Sequence, residues 1–230
     1  MGQKVHPKVF RLGITTTWDG KWFARGRKFA SLLRQDVTIR RYLVRRLREA
    51  SIARVEIERS LNAITVTIFT GKPGLIIGRG GSGVEELRKD LEKKFFSPVA
   101  HAKQGNTTKL NLSIKEVEHP QTSAQVVAVG MALDIEKRIP FRRTLRRAIE
   151  GIMKAGAQGA KITISGRLDG AEIARRETLT RGKVPLHTLR NNIDFGRTVA
   201  ITTYGTVGIK VWVNHGEVFE KVSKTHERMN

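Results

Sequence analysis

The run Gly78-Arg79-Gly80-Gly81-Ser82-Gly83 puts four glycines in six positions. No regular helix or strand survives that density, because glycine loses more backbone freedom on ordering than any other residue. The segment is a loop, and its flanks decide what it joins. Ahead of it, Gly71, Pro73 and Gly74 break the chain and leave only the short apolar piece Leu75-Ile76-Ile77. Behind it, Leu87 and Leu91 lie four residues apart and mark a helix from about Val84 to Phe95.

Outward from the loop the periodicity is readable. From Thr38, the residues Ile39, Leu43, Val44 and Leu47 recur at helical spacing and predict one buried stripe, with Arg40, Arg41, Arg45, Arg46 and Arg48 on the remaining positions. Val55 and Ile57 then alternate with Glu56 and Glu58, and Ile64, Val66 and Ile68 alternate with Thr65 and Thr67. That is a hairpin with Asn62 at the turn. Another strand fits Leu110 to Ile114. The order is helix, strand, strand, short helix, glycine loop, helix, strand.

His119-Pro120 marks a boundary, because proline disfavours helix at the residue before it. Beyond it the pattern predicts a helix over Gln121 to Arg138 and a second, opened by Pro140, to about Ala155. Gly156 and Gly159 stop that helix, and Lys161 to Ser165 alternates as a strand. The Thr/Val/Ile-rich remainder through Trp212 reads as antiparallel strands. The expected class is α/β, of the α+β kind. Residues 1–37 form a basic arm and lead-in, the stretch to about Gly20 ordered only against a partner, 38–116 a first domain, 117–213 a second of two helices packed on a mostly antiparallel sheet, and 214–230 a disordered polar tail.

Charge narrows the function. There are 43 Lys+Arg against 21 Asp+Glu, a net +22 with a pI near 11.1. Such self-repulsion is tolerable when an acidic polymer neutralises it, with nucleic acid first and an anionic membrane surface second. The chain has no cysteine, which excludes a disulfide framework, a thiolate zinc site and a cysteine nucleophile. The longest apolar run, Val126 to Leu133, is far short of the roughly 20 residues of a membrane span. No apolar signal region follows Met1-Gly2-Gln3-Lys4-Val5-His6-Pro7, and His6 stands where a myristoylation signal wants Ser or Thr. The reading is a soluble, cytoplasmic polyanion-binding protein.

The glycine loop fits two patterns. As Gly-x-Gly-x-x-Gly it matches a dinucleotide fingerprint, which needs a strand before it and an acid about 20 residues later for the ribose. Leu75 to Ile77 is too short for that strand, and Ser97 to Lys115 holds no Asp or Glu. No Lys-Ser or Lys-Thr follows Gly83, so it is not a nucleoside-triphosphate loop either. As Gly78-Arg79-Gly80-Gly81 it is a Gly-x-x-Gly loop between two helices. There the glycines let a nucleic-acid backbone approach main-chain N–H groups at a helix start, and Arg79 adds a cation. A plain helix–helix turn has the same tetrapeptide; the surrounding element order favours the RNA reading.

That order is the order of a type II KH domain, and the whole chain resembles the S-three family of bacterial small-subunit ribosomal proteins. The matching stretches include Gly2 to Pro7, Pro73 to Gly78, Phe141-Arg142-Arg143, Ser165 to Arg175, Val184 to Leu189, Thr203-Tyr204-Gly205 and Gly208 to Trp212. The loop departs from the family pattern at Gly80, where a second basic residue is common. The resemblance implies a structural protein of the small-subunit head that binds ribosomal RNA and lines the messenger entrance channel. It implies S-ten and S-fourteen as neighbours, with S-four and S-five near the entrance, and basic residues that assist messenger unwinding. The alternative is a free KH regulator that reads messenger or small RNA by sequence. A basic membrane-surface protein is a third, disfavoured because the arginine stripes flank core stripes rather than lipid faces.

At about 100° per residue, Phe141, Leu145, Ile149 and Ile152 fall within roughly 80°, while Arg142, Arg143, Arg146 and Arg147 cover an adjacent arc of roughly 140°. Only Glu150 lies nearby to neutralise them. The arginine fork suits phosphate, and by resemblance Arg142, Arg143 and Arg146 face incoming messenger. Arg40, Arg41, Arg45, Arg46 and Arg48 are read as contacts to ribosomal RNA or a neighbour, and Arg167 as a further RNA contact. Arg175, Arg176, Arg181 and Lys183 stay open between RNA contact and solvation. Trp18, Trp22 and Phe23 are stacking residues or a packing anchor. The six histidines are scattered without ligand spacing, with His187 read as structural. The expectation is no metal, no cofactor and no enzyme activity.

Overall fold

The computed structural model describes residues 4–60, 63–95 and 109–219. Two four-stranded sheets each carry their own helices and core. In the first, helix α2 (Arg27–Arg46) is followed by β2 (Ile52–Arg59), β3 (Ala63–Thr70), α3 (Pro73–Ile77), α4 (Ser82–Phe95) and β4 (Lys109–Glu116). β2 pairs antiparallel with β3, and β3 parallel with β4, which is the type II KH arrangement. The alternating side chains Ile57, Val66 and Ile68 meet Ile39 and Leu43 of α2 and Leu91 of α4, all fully buried.

The predicted helix from Thr38 begins at Arg27 instead. Its first turns carry no apolar stripe toward their own core. The residue they bury is Asp36, which accepts the Trp22 indole N–H at 2.6 Å and pairs with Arg59. A helix start held by polar contacts is invisible to hydrophobic periodicity. Val44 is likewise not in the stripe: it is 49% exposed, because Ile39 and Leu43 already define the buried line and Val44 lies one step round the helix.

The arm is not waiting for a partner. Helix α1 (Pro7–Phe10) and strand β1 (Gly20–Lys21) attach it to both halves of the chain, β1 pairing parallel with β2. Arg11 is fully buried, and its guanidinium donates to the carbonyls of Pro7, Leu186, Thr188 and Asn191 at 2.7 to 3.1 Å. Burial holds its pKa below the usual guanidinium value, yet its fixed donors still satisfy both Pro7 of the arm and the carbonyls of the loop that ends at Asn191.

The second sheet runs β6 (Arg175–Gly182), β5 (Gly159–Gly166), β8 (Gly205–Glu217), β7 (Asn191–Thr202), antiparallel throughout. Helices α5 (Ala124–Glu136) and α6 (Phe141–Lys154) cover it. α5 starts three residues later than its sequence pattern suggests, because Asp194 on β7 accepts the Ala124 N–H at 2.7 Å and supplies the missing cap. There the chains touch backbone to backbone: any Cβ at Gly196 would collide with the Ala124 carbonyl.

β8 continues through Glu217, past the point where the polar tail was expected to begin. Asn214 is buried and donates to the Lys183 carbonyl at 3.0 Å, so polar composition here serves pairing rather than disorder. The turn at Asn62 and the tail from 220 onward lie outside the described residues.

Candidate nucleic-acid interface

The amphipathicity of α6 sets the first basic surface. Phe141, Thr144, Leu145, Ile149 and Ile152 are buried, and Arg142, Arg143, Arg146 and Arg147 are all exposed on the other side. With Pro140 and Glu150 the four arginines line a shallow concavity of about 540 Å³. Arg142 pairs with Glu177 of β6 at 3.4 Å and is 68% exposed, so solvent screens the pair and leaves its charge largely available. Arg143, Arg146 and Arg147 have no ion pair among the described residues. On edge strand β6, Arg175 and Arg181 are exposed on the side of Glu177, which faces α6, while Arg176 alternates to the other side. Sequence spacing does not reveal that proximity, since β5 intervenes in the chain between α6 and β6.

The glycine loop projects between α3 and α4. Gly78, Gly80 and Gly81 have φ of 69°, 61° and 82°, a region L side chains rarely enter. A Cβ at Gly80 or Gly81 would meet open space, whereas one at Gly83 would lie 2.5 Å from the Ile76 carbonyl. Gly83 therefore serves the close packing of α3 on α4, and Gly80 and Gly81 serve the path of an exposed loop. Arg79 is exposed at its tip, and the Ser82 hydroxyl donates to the Arg79 carbonyl at 3.0 Å, closing the turn.

The arginines of α2 are placed differently. Arg46 donates to Glu86 at 2.6 Å, to Asp90, and to the Tyr42 hydroxyl at 3.0 Å; the hydrogen bond with Tyr42 foremost raises its pKa. Arg40 is half-buried, with an Nε that has no partner. Arg41 and Arg45 are exposed without an ion pair among the described residues. Arg48 reaches across to Glu136 of α5 at 2.5 Å and joins the two halves.

Arg167 is exposed, but its fork is occupied, donating to the carbonyls of Ala171 at 2.9 Å and Tyr204 at 3.1 Å. It braces a loop and presents only its remaining edge outward. Trp22 is the packing anchor of the arm, while Trp18 and Phe23 are 64% and 83% exposed. His187 is exposed; the neighbouring carbonyls, not its ring, hold Arg11. Among the described residues no cluster of metal-ligating side chains occurs and no helix is long and apolar enough to cross a membrane.

Two family models match the chain: a KH domain over residues 38–122 and "Ribosomal protein S3, C-terminal domain" over residues 131–213. The small ribosomal subunit protein uS3 of Desulforamulus reducens is 50% identical over 224 residues, covering 97% of this chain and 96% of the relative. That of Carboxydothermus hydrogenoformans is 47% identical over 224 residues, with the same coverage. The uS3 protein of Hydrogenovibrio crunogenus is 45% identical over 223 residues, covering 97% and 93%.

Proposed function

This chain belongs to the S3 family of small-subunit ribosomal proteins, and on that premise we propose that it lines the messenger entrance of the subunit and grips incoming messenger with α6. Its coarser role, a structural RNA-binding component of the small subunit and not an enzyme, goes with the family. The observation that carries the finer reading is the exposed arginine face of α6, four side chains on one arc with, among the described residues, a single long-range acidic neighbour in Glu177.

Arg142, Arg143 and Arg146 hold messenger phosphates, Arg147 extends their track, and ribosome translocation supplies the work that opens paired messenger. Fixed guanidinium groups on a packed helix grip a moving backbone without sequence preference. The loop Gly78-Arg79-Gly80-Gly81 and the exposed Arg41 and Arg45 hold ribosomal RNA, with smaller shares from Arg40, which is half-buried, and from Arg46 and Arg167, whose forks are partly engaged. S-ten and S-fourteen are its neighbours, with S-four and S-five at the entrance. The RNA-holding unit spans 38–116 and the messenger-facing unit 117–213.

Replacing Arg142, Arg143 and Arg146 together by Ala should slow translation through messenger hairpins and leave unstructured messages nearly untouched. Equal slowing on both templates in a reconstituted translation assay overturns the reading.

A further inference from the structure

The two halves of the chain keep separate cores, with no buried apolar residue in common. Domains of that kind move relative to one another unless the interface between them is large and apolar. Among the described residues, three sets of polar contacts join the halves. The arm holds the first through β1 on β2, and the second through Arg11 and the Lys8–Asp194 pair at 2.8 Å. At the connection, the Val117 N–H donates to the Thr70 carbonyl at 3.0 Å. The third set is Arg48, just past α2, which donates to Glu136 at 2.5 Å and to the Val199 carbonyl at 3.3 Å.

These contacts fall at opposite ends of α5. At its start, Asp194 accepts the Ala124 N–H as well as pairing with Lys8. There Gly71 comes so close that a Cβ on it would meet Val126 at 3.3 Å and Pro120 at 3.4 Å. At the last residue of α5, Glu136 uses one oxygen, Oε1, to accept both from Arg48 and from the Ile201 N–H of edge strand β7 at 2.8 Å. From Val126 to Glu136 is about 15 Å along a helix. A rod fixed at one end pivots, and a rod fixed at both holds an angle. α6 follows at once: residues 137–140 alone separate the two helices, Arg138 takes a left-handed φ of 62°, and the Ile139 N–H donates to the Asp134 carbonyl at 3.1 Å. Both helices pack into one core, so the angle that α5 holds is held by the arginine face of α6 as well.

We propose that Arg48 and Glu136 are positioning residues for the messenger grip: they lock the angle between the RNA-holding unit and α6, so that α6 does not swing with the strand it holds. The inference rests on α6 gripping messenger. A grip resists a moving chain only as far as its anchor resists, and the anchor is the KH unit on ribosomal RNA. Without the Arg48–Glu136 pair, the polar contacts left between the halves are gathered at the arm and at the start of α5, which is the geometry of a hinge. This role differs from holding phosphate. Glu136 is an acid and repels RNA, yet its loss should reproduce the loss of Arg48.

Glu136→Gln is the discriminating variant, because its amide oxygen still accepts the Ile201 N–H while the ion pair is gone. Arg48→Ala removes the pair from the other side, and Arg48→Lys restores the charge. The full-length chain has no cysteine of its own, so spin labels on Lys89→Cys of α4 and Lys154→Cys of α6, both exposed, report the distance between the halves by pulsed electron paramagnetic resonance. The distance distribution should broaden in Glu136→Gln and Arg48→Ala and narrow again in Arg48→Lys. In assembled small subunits, Glu136→Gln and Arg48→Ala should slow translation through messenger hairpins by up to about fivefold, the factor that a half-exposed ion pair supplies. Unstructured messages and the salt slope of single-strand binding should stay unchanged. Unbroadened distributions, or normal hairpin transit in both variants beside a slowed Arg142/Arg143/Arg146 variant, overturns the inference. So does slowing by Arg48→Ala without slowing by Glu136→Gln, which would make Arg48 a phosphate contact. Normal hairpin transit in the triple-arginine variant would instead strike the messenger grip itself, while the distance measurement would still judge the lock.

Discussion

Helices α2 and α6 carry the same kind of arginine run, and they use it in opposite ways. On α6 the arginines stand on the arc away from the core, and among the described residues the only acid that reaches them from another element is Glu177 at 3.4 Å. On α2 the neighbouring α4 presents Glu86 and Asp90 to Arg46, and just past its end α5 presents Glu136 to Arg48. A charge run is free or committed according to what the next helix brings, and the run itself does not say which. The α2 set is therefore partly internal scaffolding of the KH unit, and the α6 set is available for phosphate.

The sharpest way to break this contrast is to attack α2 where it is most internal. Asp36→Ala strands Arg59, whose side chain is only 9% exposed, and removes the acceptor of the Trp22 indole. Removing one partner of a buried pair costs about 3–5 kcal/mol, so a large drop in the urea midpoint is the expected outcome. A drop below about 1 kcal/mol, the ordinary effect of a point substitution, would show that the start of α2 is not held from within.

The next effect falls on binding. Replacing Arg142, Arg143 and Arg146 by Ala should leave the unfolding midpoint almost unchanged, within about 0.5 kcal/mol per exposed site. Each lost phosphate contact lowers the salt dependence of single-strand binding by about 0.7, so three remove about 2 from the slope of log Kobs against log salt. An unaltered slope with reduced stability would reverse the roles assigned to the two helices. Arg46→Ala is the mirror case: about 1 kcal/mol of stability at most, because its partners are solvent-exposed, and a slope change of less than one contact.

The comparison also explains what the sequence could disclose. The apolar period placed both cores, since Ile39, Leu43, Leu87 and Leu91 in one half and Phe141, Leu145, Ile149 and Ile152 in the other are all buried. The same period located the free arginine face of α6, because a core stripe on a helix defines its opposite. It failed wherever polar groups do the holding: Asp36 at the start of α2, Asp194 capping α5, Arg11 seated on carbonyls, and Asn214 inside β8. These contacts join residues 14 to 180 positions apart, and no local pattern encodes them. The pairing of Arg46 with Glu86 and Asp90 is hidden for the same reason.

The smallest expected effect tests the glycine loop as a third basic element beside the two helices. Gly80→Arg restores a second cation at the tip, where a Cβ meets nothing within 4 Å and only the backbone, at φ 61°, resists. A non-glycine residue in that left-handed conformation costs about 1–2 kcal/mol, so the unfolding midpoint should fall slightly. If the loop approaches phosphate, one added contact raises the salt slope by about 0.7 and tightens binding at low salt. A midpoint that falls while the slope stays fixed would assign the loop to the packing of α3 on α4, the role its neighbour Gly83 already has, and leave the phosphate contacts to α6 and to Arg41 and Arg45 of α2.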